Sequence, residues 1–137
     1  MQLRFSGTPD GFEQGFVRLC GALDDEHLKL AARTRYNVEL VFEEIVGNIV
    51  RYGAPQGGEL HIDVSMEIGG DRIKIAFEDD GIPFDPCGLG DAPTLKTLSD
   101  APDGGFGLKL VRHAANSMQY ERTAQQRNRL VVTLEHC

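Results

Sequence analysis

The chain has 137 residues, 41% of them hydrophobic and 26% charged, with a net charge of −7 at neutral pH. This length suits one domain with a real core rather than two, and the composition is that of a soluble globular protein. The acidic balance, with no cluster of lysine or arginine, argues against binding along a nucleic-acid backbone.

The segment "QLRFS" reads as an opening strand, and Thr8-Pro9-Asp10 starts a helix with a core face of Phe12, Phe16, Leu19, Cys20 and Leu23. An acidic turn and "LKLAARTRYN" lead into a second helix, "ELVFEEIVGNIVRYG", which Gly53 and Pro55 terminate. "ELHIDVSMEI" and "RIKIAFE" both alternate apolar and polar residues around the turn "GGD", the pattern of a hairpin. Residues 86–103 carry no periodicity, and a stretch of that length in a compact domain reads as a lid or a disordered loop. "GGFGLKLVRHAANSM" is a glycine-rich lead-in to a helix that turns Leu108, Val111 and Ala115 or Met118 inward, and "QYERT" and "RLVVTLE" close the chain as a second hairpin. Hairpins cannot supply the crossovers of a doubly wound sheet. The expected fold class is α+β, a two-layer sandwich of one mostly antiparallel sheet with helices on one face.

No apolar run approaches the ~20 residues of a membrane span, and the start of the chain lacks a signal-peptide core, so a cytoplasmic protein with no membrane contact is expected. Cys20, Cys87 and Cys137 are scattered and form no Cys-x-x-Cys pair, which fits a reducing compartment and neither zinc nor a disulfide framework. The four histidines lack metal-ligand spacing.

The second helix poses a question. Val38, Val41, Phe42, Ile45, Val46, Ile49 and Val50 mark its buried face, and Glu44, Asn48 and Arg51 form a second stripe flanking that face. The stripe is either a solvated flank or a pocket wall, offering a carboxylate as base and an amide oxygen for a hard cation. Glu39 and Glu43 read as plain surface charge.

Two other segments bear on the choice. "EDDGIPFDP" ends a strand in Asp79-Asp80-Gly81, and "DGGFGLKL" sets Gly104, Gly105 and Gly107 at the start of a helix. Glycines there let backbone N–H groups approach a phosphate, which the helix dipole also favours. A Walker loop is excluded by spacing, and a dinucleotide fingerprint by the lack of a β-α-β unit.

In this order the three segments resemble the histidine-kinase-like ATPase superfamily that includes gyrase and mismatch-repair ATPases, and most of all its anti-sigma-factor serine kinase branch. The resemblance runs from "VFEEIVGNIVRYG" through "EDDGIPFDP" and "GGFGLKLVRHAANSMQYERT" to "NRLVVTL". It implies one Bergerat-type domain over residues 1–137 with a lid at about 86–103, binding ATP and Mg2+. It implies Glu44 as general base, Asn48 as magnesium ligand, and Asp79 beside Gly81 as acceptor for the adenine amino group. Gly104, Gly105 and Gly107 would lie next to the triphosphate. Arg51 could pair with phosphate or with Glu44, the latter favoured, and Lys109 is a second candidate phosphate contact. Pro83 stands where the superfamily usually has another glycine, and the lid carries no arginine, only Lys96 with Lys109 nearby.

By this resemblance the chain would be an ATP-dependent protein serine kinase that phosphorylates a STAS-type anti-sigma-factor antagonist. Its other partner would be a sigma factor or similar regulator, and it would form a homodimer. The alternative is a nucleotide-binding partner-switch module with little or no kinase activity.

Overall fold

The structure is a computed structural model that describes residues 1–25, 28–54, 58–85 and 102–136. In chain order the elements are β1 (Gln2–Ser6), α1 (Pro9–Leu23), α2 (Ala32–Tyr52), β2 (His61–Gly69), β3 (Arg72–Asp79), α3 (Pro102–Ala114), β4 (Ser117–Arg122) and β5 (Asn128–Glu135). The strands form one sheet in the order β1-β2-β3-β5-β4. Every neighbouring pair is antiparallel. The fold is therefore the expected α+β sandwich, with a wholly rather than mostly antiparallel sheet.

Alternation decides which face of the sheet is covered. Ile62, Val64 and Met66 of β2, Ile73, Ile75 and Phe77 of β3, and Leu130, Val132 and Leu134 of β5 are buried. They merge with Leu19 and Leu23 of α1, the apolar stripe of α2, and Leu108 and Val111 of α3 into one core. The opposite face carries ion pairs instead, such as Arg127 Nη2 to Asp63 Oδ2 at 2.7 Å and Arg129 Nη1 to Glu78 Oε1 at 3.1 Å. Pairs this accessible contribute at most about 1 kcal/mol each, so burial under the helices holds the sandwich together.

Phe42 is the central knob of that burial. It is 1% exposed, and its ring lies 5.9 Å from Phe5, 6.2 Å from Phe12, 6.0 Å from Phe16 and 6.5 Å from Phe77. Phe12 and Phe16, expected as core, are half-buried around this ring, while Gly11 and Gly15 bring α1 onto β1. Truncating such a phenylalanine costs about 3–5 kcal/mol. The same contacts fix the rotation of α2 about its axis, and with it the directions of Glu44 and Asn48.

α1 begins as its sequence dictates: Thr8 caps it, its hydroxyl accepting from Gly11 N at 3.0 Å, and Pro9 follows. α2 has no side-chain cap at its start and ends at Gly53, whose N–H donates to Ile49 O at 2.7 Å. Pro55 lies outside the described residues.

Candidate functional site

On α2 the periodic stripe is buried as expected through Val46, with Ile49 and Val50 half-buried at its end. Glu44 lies at the boundary, half-buried, whereas Asn48 goes deeper and is only 4% exposed. Its Nδ2 is buried with no hydrogen-bond partner among the described residues. Leaving a buried donor unmade costs about 1–3 kcal/mol. Native proteins rarely leave such a group unpaired, so the amide calls for a partner beyond the described residues.

Two readings of this helix need correction. Arg51 does not pair with Glu44; its guanidinium sits 5.8 Å from the centre of the Tyr52 ring, on the exposed last turn. Glu39 is not plain surface charge; it is half-buried and accepts from Arg35 Nε at 3.3 Å and from Cys20 Sγ at 3.5 Å, which ties α2 to α1.

The second wall of the site is the end of β3. Asp79 closes the strand and is 3% exposed. Burial pushes its carboxyl above the ordinary carboxylate range, against the opposing effect of hydrogen bonds from Asn128 and Gly81. Both bonds, 2.9 Å each, land on Oδ1. Oδ2 remains an acceptor with no partner among the described residues. Asp80 behaves oppositely. Burial raises it too, but hydrogen bonds from the His61 backbone (2.7 Å) and ring (2.9 Å) outweigh that and hold it below the usual range. One carboxylate of the pair is a tether to β2, and the other faces a cleft.

The loop after Asp79 is docked on α2. Ile82 N donates to Gly53 O at 2.9 Å. A Cβ at Gly81 would overlap that same carbonyl oxygen, so only glycine allows the approach. From the other side Arg122 Nη1 donates to Gly81 O at 3.0 Å.

Asn48 and Asp79 line one mostly apolar cleft, together with Ile45, Tyr52, Ile82, Phe84, Leu108 and Tyr120. Its free volume is about 30 Å³, room for a water or two but not for a purine ring. Ile82 (45% exposed) and Tyr52 (40% exposed) are the lining residues freest to move aside.

α3 closes the top. Glu44 lies one turn before Asn48, outside the lining of the cleft, with its carboxylate against Gly107; a Cβ at Gly107 would overlap Glu44 Oε2. The glycines stand at the start of the helix, as expected, but inside it rather than as a lead-in. Gly104 and Gly105 lie in its first turn and Gly107 in its second. The reason is Pro102, well suited to open a helix, and the N–H groups of the first turn stay free of intrahelical bonds in any case. Pro102 and Asp103 thus belong to α3 rather than to a lid, and residues 86–101 lie outside the described residues. Lys109 is exposed on α3.

The structure thus joins Asn48 with Asp79, and Glu44 with Gly107, and leaves Arg51 and Lys109 at the surface. Asn128 and Tyr120 were missed from the sequence. Asn128 stands directly opposite Asp79 in the β3–β5 register and is 5% exposed, and Tyr120 OH donates to its Oδ1 at 2.6 Å. In sequence Asn128 reads as a turn residue, and its only signal was its place beside "RLVVTL".

Comparison with known proteins places the chain in a family. Over 101 residues, 71% of each chain, the sequence is 30% identical to the serine/threonine-protein kinase BtrW of Bordetella bronchiseptica. In structure the chain is similar to one in the SiaB–SiaC complex from Pseudomonas aeruginosa, with a TM-score of 0.54, 12% identity, and coverage of 98% of this chain and 89% of that one. That likeness concerns the fold. A further similarity, to the histidine kinase AdeS of Acinetobacter baumannii, has a TM-score of 0.49 at 18% identity over 74% of this chain, which spans only 47% of the AdeS chain. The family model described as the histidine kinase-like ATPase domain matches residues 16–134, from the middle of α1 to the end of β5, and the chain belongs to that family.

Proposed function

We propose that the protein is an ATP-dependent protein serine kinase of the anti-sigma-factor type, a single ATPase domain over residues 1–137. The observation that carries the reading is the placement of an unpartnered buried amide, Asn48, and a carboxylate with a free oxygen, Asp79, in one cleft, with Glu44 one turn from Asn48. The 30% identical relative that is named a serine/threonine-protein kinase supports the same reading.

The residues present fit ATP and magnesium. Asp79 Oδ2 is the acceptor for an adenine amino group, and the apolar lining suits the base once Ile82 and Tyr52 give way. The amide oxygen of Asn48 would be a ligand for the metal, and its buried Nδ2, unsatisfied among the described residues, would be left to donate to the bound nucleotide or its water. Gly104, Gly105 and Gly107 allow close approach of backbone at the start of α3. Magnesium-bound ATP supplies the phosphoryl group and the charge neutralisation its transfer needs. Glu44 would take the proton of an incoming serine hydroxyl, and its half-buried position limits its hydration without stranding the charge. The substrate would be a STAS-type anti-sigma-factor antagonist, the other partner a sigma factor or similar regulator, and the working form a homodimer.

One observation favours a second reading, a nucleotide-binding partner switch with little or no transfer. Residues 86–109 contain no arginine, and Lys109 is exposed on α3, so the phosphate side has little cationic support for transfer. Incubation with labelled ATP, magnesium and STAS proteins encoded nearby separates the two. Phosphoserine on the partner is the kinase outcome, and a nucleotide-dependent complex without phosphoprotein is the switch outcome. Absence of ATP binding would defeat both.

A further inference from the structure

Behind Asp79 lies a hydrogen-bond chain that the phosphotransfer reading does not use. Asn128 Nδ2 donates to Asp79 Oδ1 at 2.9 Å and to Ile82 O at 2.7 Å, while its Oδ1 accepts from Tyr120 OH at 2.6 Å and Phe84 N at 3.3 Å. An asparagine amide has two donor hydrogens and two acceptor sites, and all four are spent. The orientation of the amide follows from its partners, because the carboxylate and the Ile82 carbonyl can only accept. Asn128 therefore has nothing left to offer a ligand and can act only through Asp79. Its effect there is specific: with the Gly81 N–H it fills Oδ1 and leaves Oδ2 as the one Asp79 oxygen vacant among the described residues.

We propose that Asn128, held in place by Tyr120, sets the base selectivity of the site by making Asp79 a one-acceptor carboxylate. One vacant oxygen matches the single exocyclic amino group of adenine. Guanine presents an adjacent ring N–H and amino group, a pair of donors that a carboxylate grips with two free oxygens, and the filled Oδ1 denies that grip. The inference rests on the reading that Asp79 faces the base. Asn128 and Tyr120 are positioning residues in this account, since neither touches the nucleotide.

The test measures ATP and GTP binding by calorimetry on the full chain. The wild type should prefer ATP by at least about 100-fold, the discrimination typical of a site with committed hydrogen-bonding groups. Asn128→Ala should reduce that preference at least about tenfold, and Tyr120→Phe by a smaller factor, with melts confirming that both are folded. Because removing Asn128 also frees the Ile82 carbonyl, Asn128→Asp provides a second readout that a merely structural role would not move. Two carboxylates at this spacing share a proton, and residue 128 then donates to Asp79 only while it holds that proton. ATP affinity of Asn128→Asp relative to wild type should rise at least about tenfold between pH 8 and pH 5.5. Reference to wild type at each pH cancels the titration of ATP and of neighbouring groups. His61 bonds to Asp80, and Arg122 donates to Gly81 O and bears on Asp79, so both are common to the two proteins. A folded Asn128→Ala with an unchanged ATP-to-GTP ratio, or a flat relative affinity for Asn128→Asp, overturns the inference. If Asp79→Asn binds ATP like the wild type, the site reading itself fails and takes this inference with it. If Asp79→Asn loses ATP while the Asn128 variants keep full selectivity, only this inference falls.

Discussion

The carboxylate of Glu44 occupies the space into which a side chain at residue 107 would grow: a Cβ on Gly107 would overlap Oε2 and stand 2.8 Å from Cδ. The absence of a side chain on α3 thus sets where the carboxylate of α2 can rest. Gly107→Ala tests what that contact does. Alanine in a helix interior is favoured over glycine by about 1 kcal/mol, and the glutamate can swing away, so melts should show unchanged or slightly higher stability. Displacing a proton acceptor by about an ångström can cost on the order of 100-fold in rate. The expected result is a loss of serine phosphorylation of about 10- to 100-fold with ATP affinity largely kept.

Asn48 is where stability has been given up. Its Nδ2 is buried without a partner among the described residues, beside apolar residues such as Ile45, Ile49 and Leu108. Leucine at this position is nearly the same size and leaves nothing unsatisfied. Asn48→Leu should stabilise the free protein by about 1–2 kcal/mol, measured by denaturant unfolding, while magnesium-dependent nucleotide binding is lost.

Asp79→Asn should keep the fold and lose ATP. The amide oxygen can still accept from Gly81 and Asn128, but the amide nitrogen then stands where Oδ2 was and opposes the adenine amino group. The pH dependence has a definite sign. Burial raises the Asp79 carboxyl in the folded protein, so the native state holds this proton at pH values where the unfolded chain has released it. Stability therefore falls as pH rises from the ordinary carboxylate range through the raised value. The variant carries no such penalty. Its melting temperature should match or exceed wild type at pH 7, and any advantage should shrink as pH drops toward the ordinary carboxylate range.

Much of this arrangement was legible in the sequence, for a local reason. The apolar stripe of α2 fixes which residues flank it, so the flanking positions of Glu44 and Asn48 could be read from spacing, while their roles came only from the family resemblance, and strand alternation marked the covered face of β2 and β3. Asn128 could not be read, because its role depends on the β3–β5 register, which sets it opposite a residue 49 positions away. Arg51 was misjudged for a similar reason. Helical spacing puts it within reach of Glu44, but the carboxylate is drawn toward Gly107 of α3, a tertiary approach that no pattern within α2 encodes. The glycines of α3 were placed at the start of a helix, and the structure sets them in its first two turns, after Pro102.

The central claim is that Glu44 is a general base in a phosphotransferase, and the most direct measurement is a paired one on Glu44→Ala: magnesium-ATP affinity and the rate of serine phosphorylation of a cognate partner. The account predicts near wild-type affinity with transfer reduced by about 100- to 10,000-fold, the usual worth of a positioned base. Transfer at the wild-type rate by a folded Glu44→Ala protein would contradict it, as would a wild type that binds ATP and partner yet labels no serine.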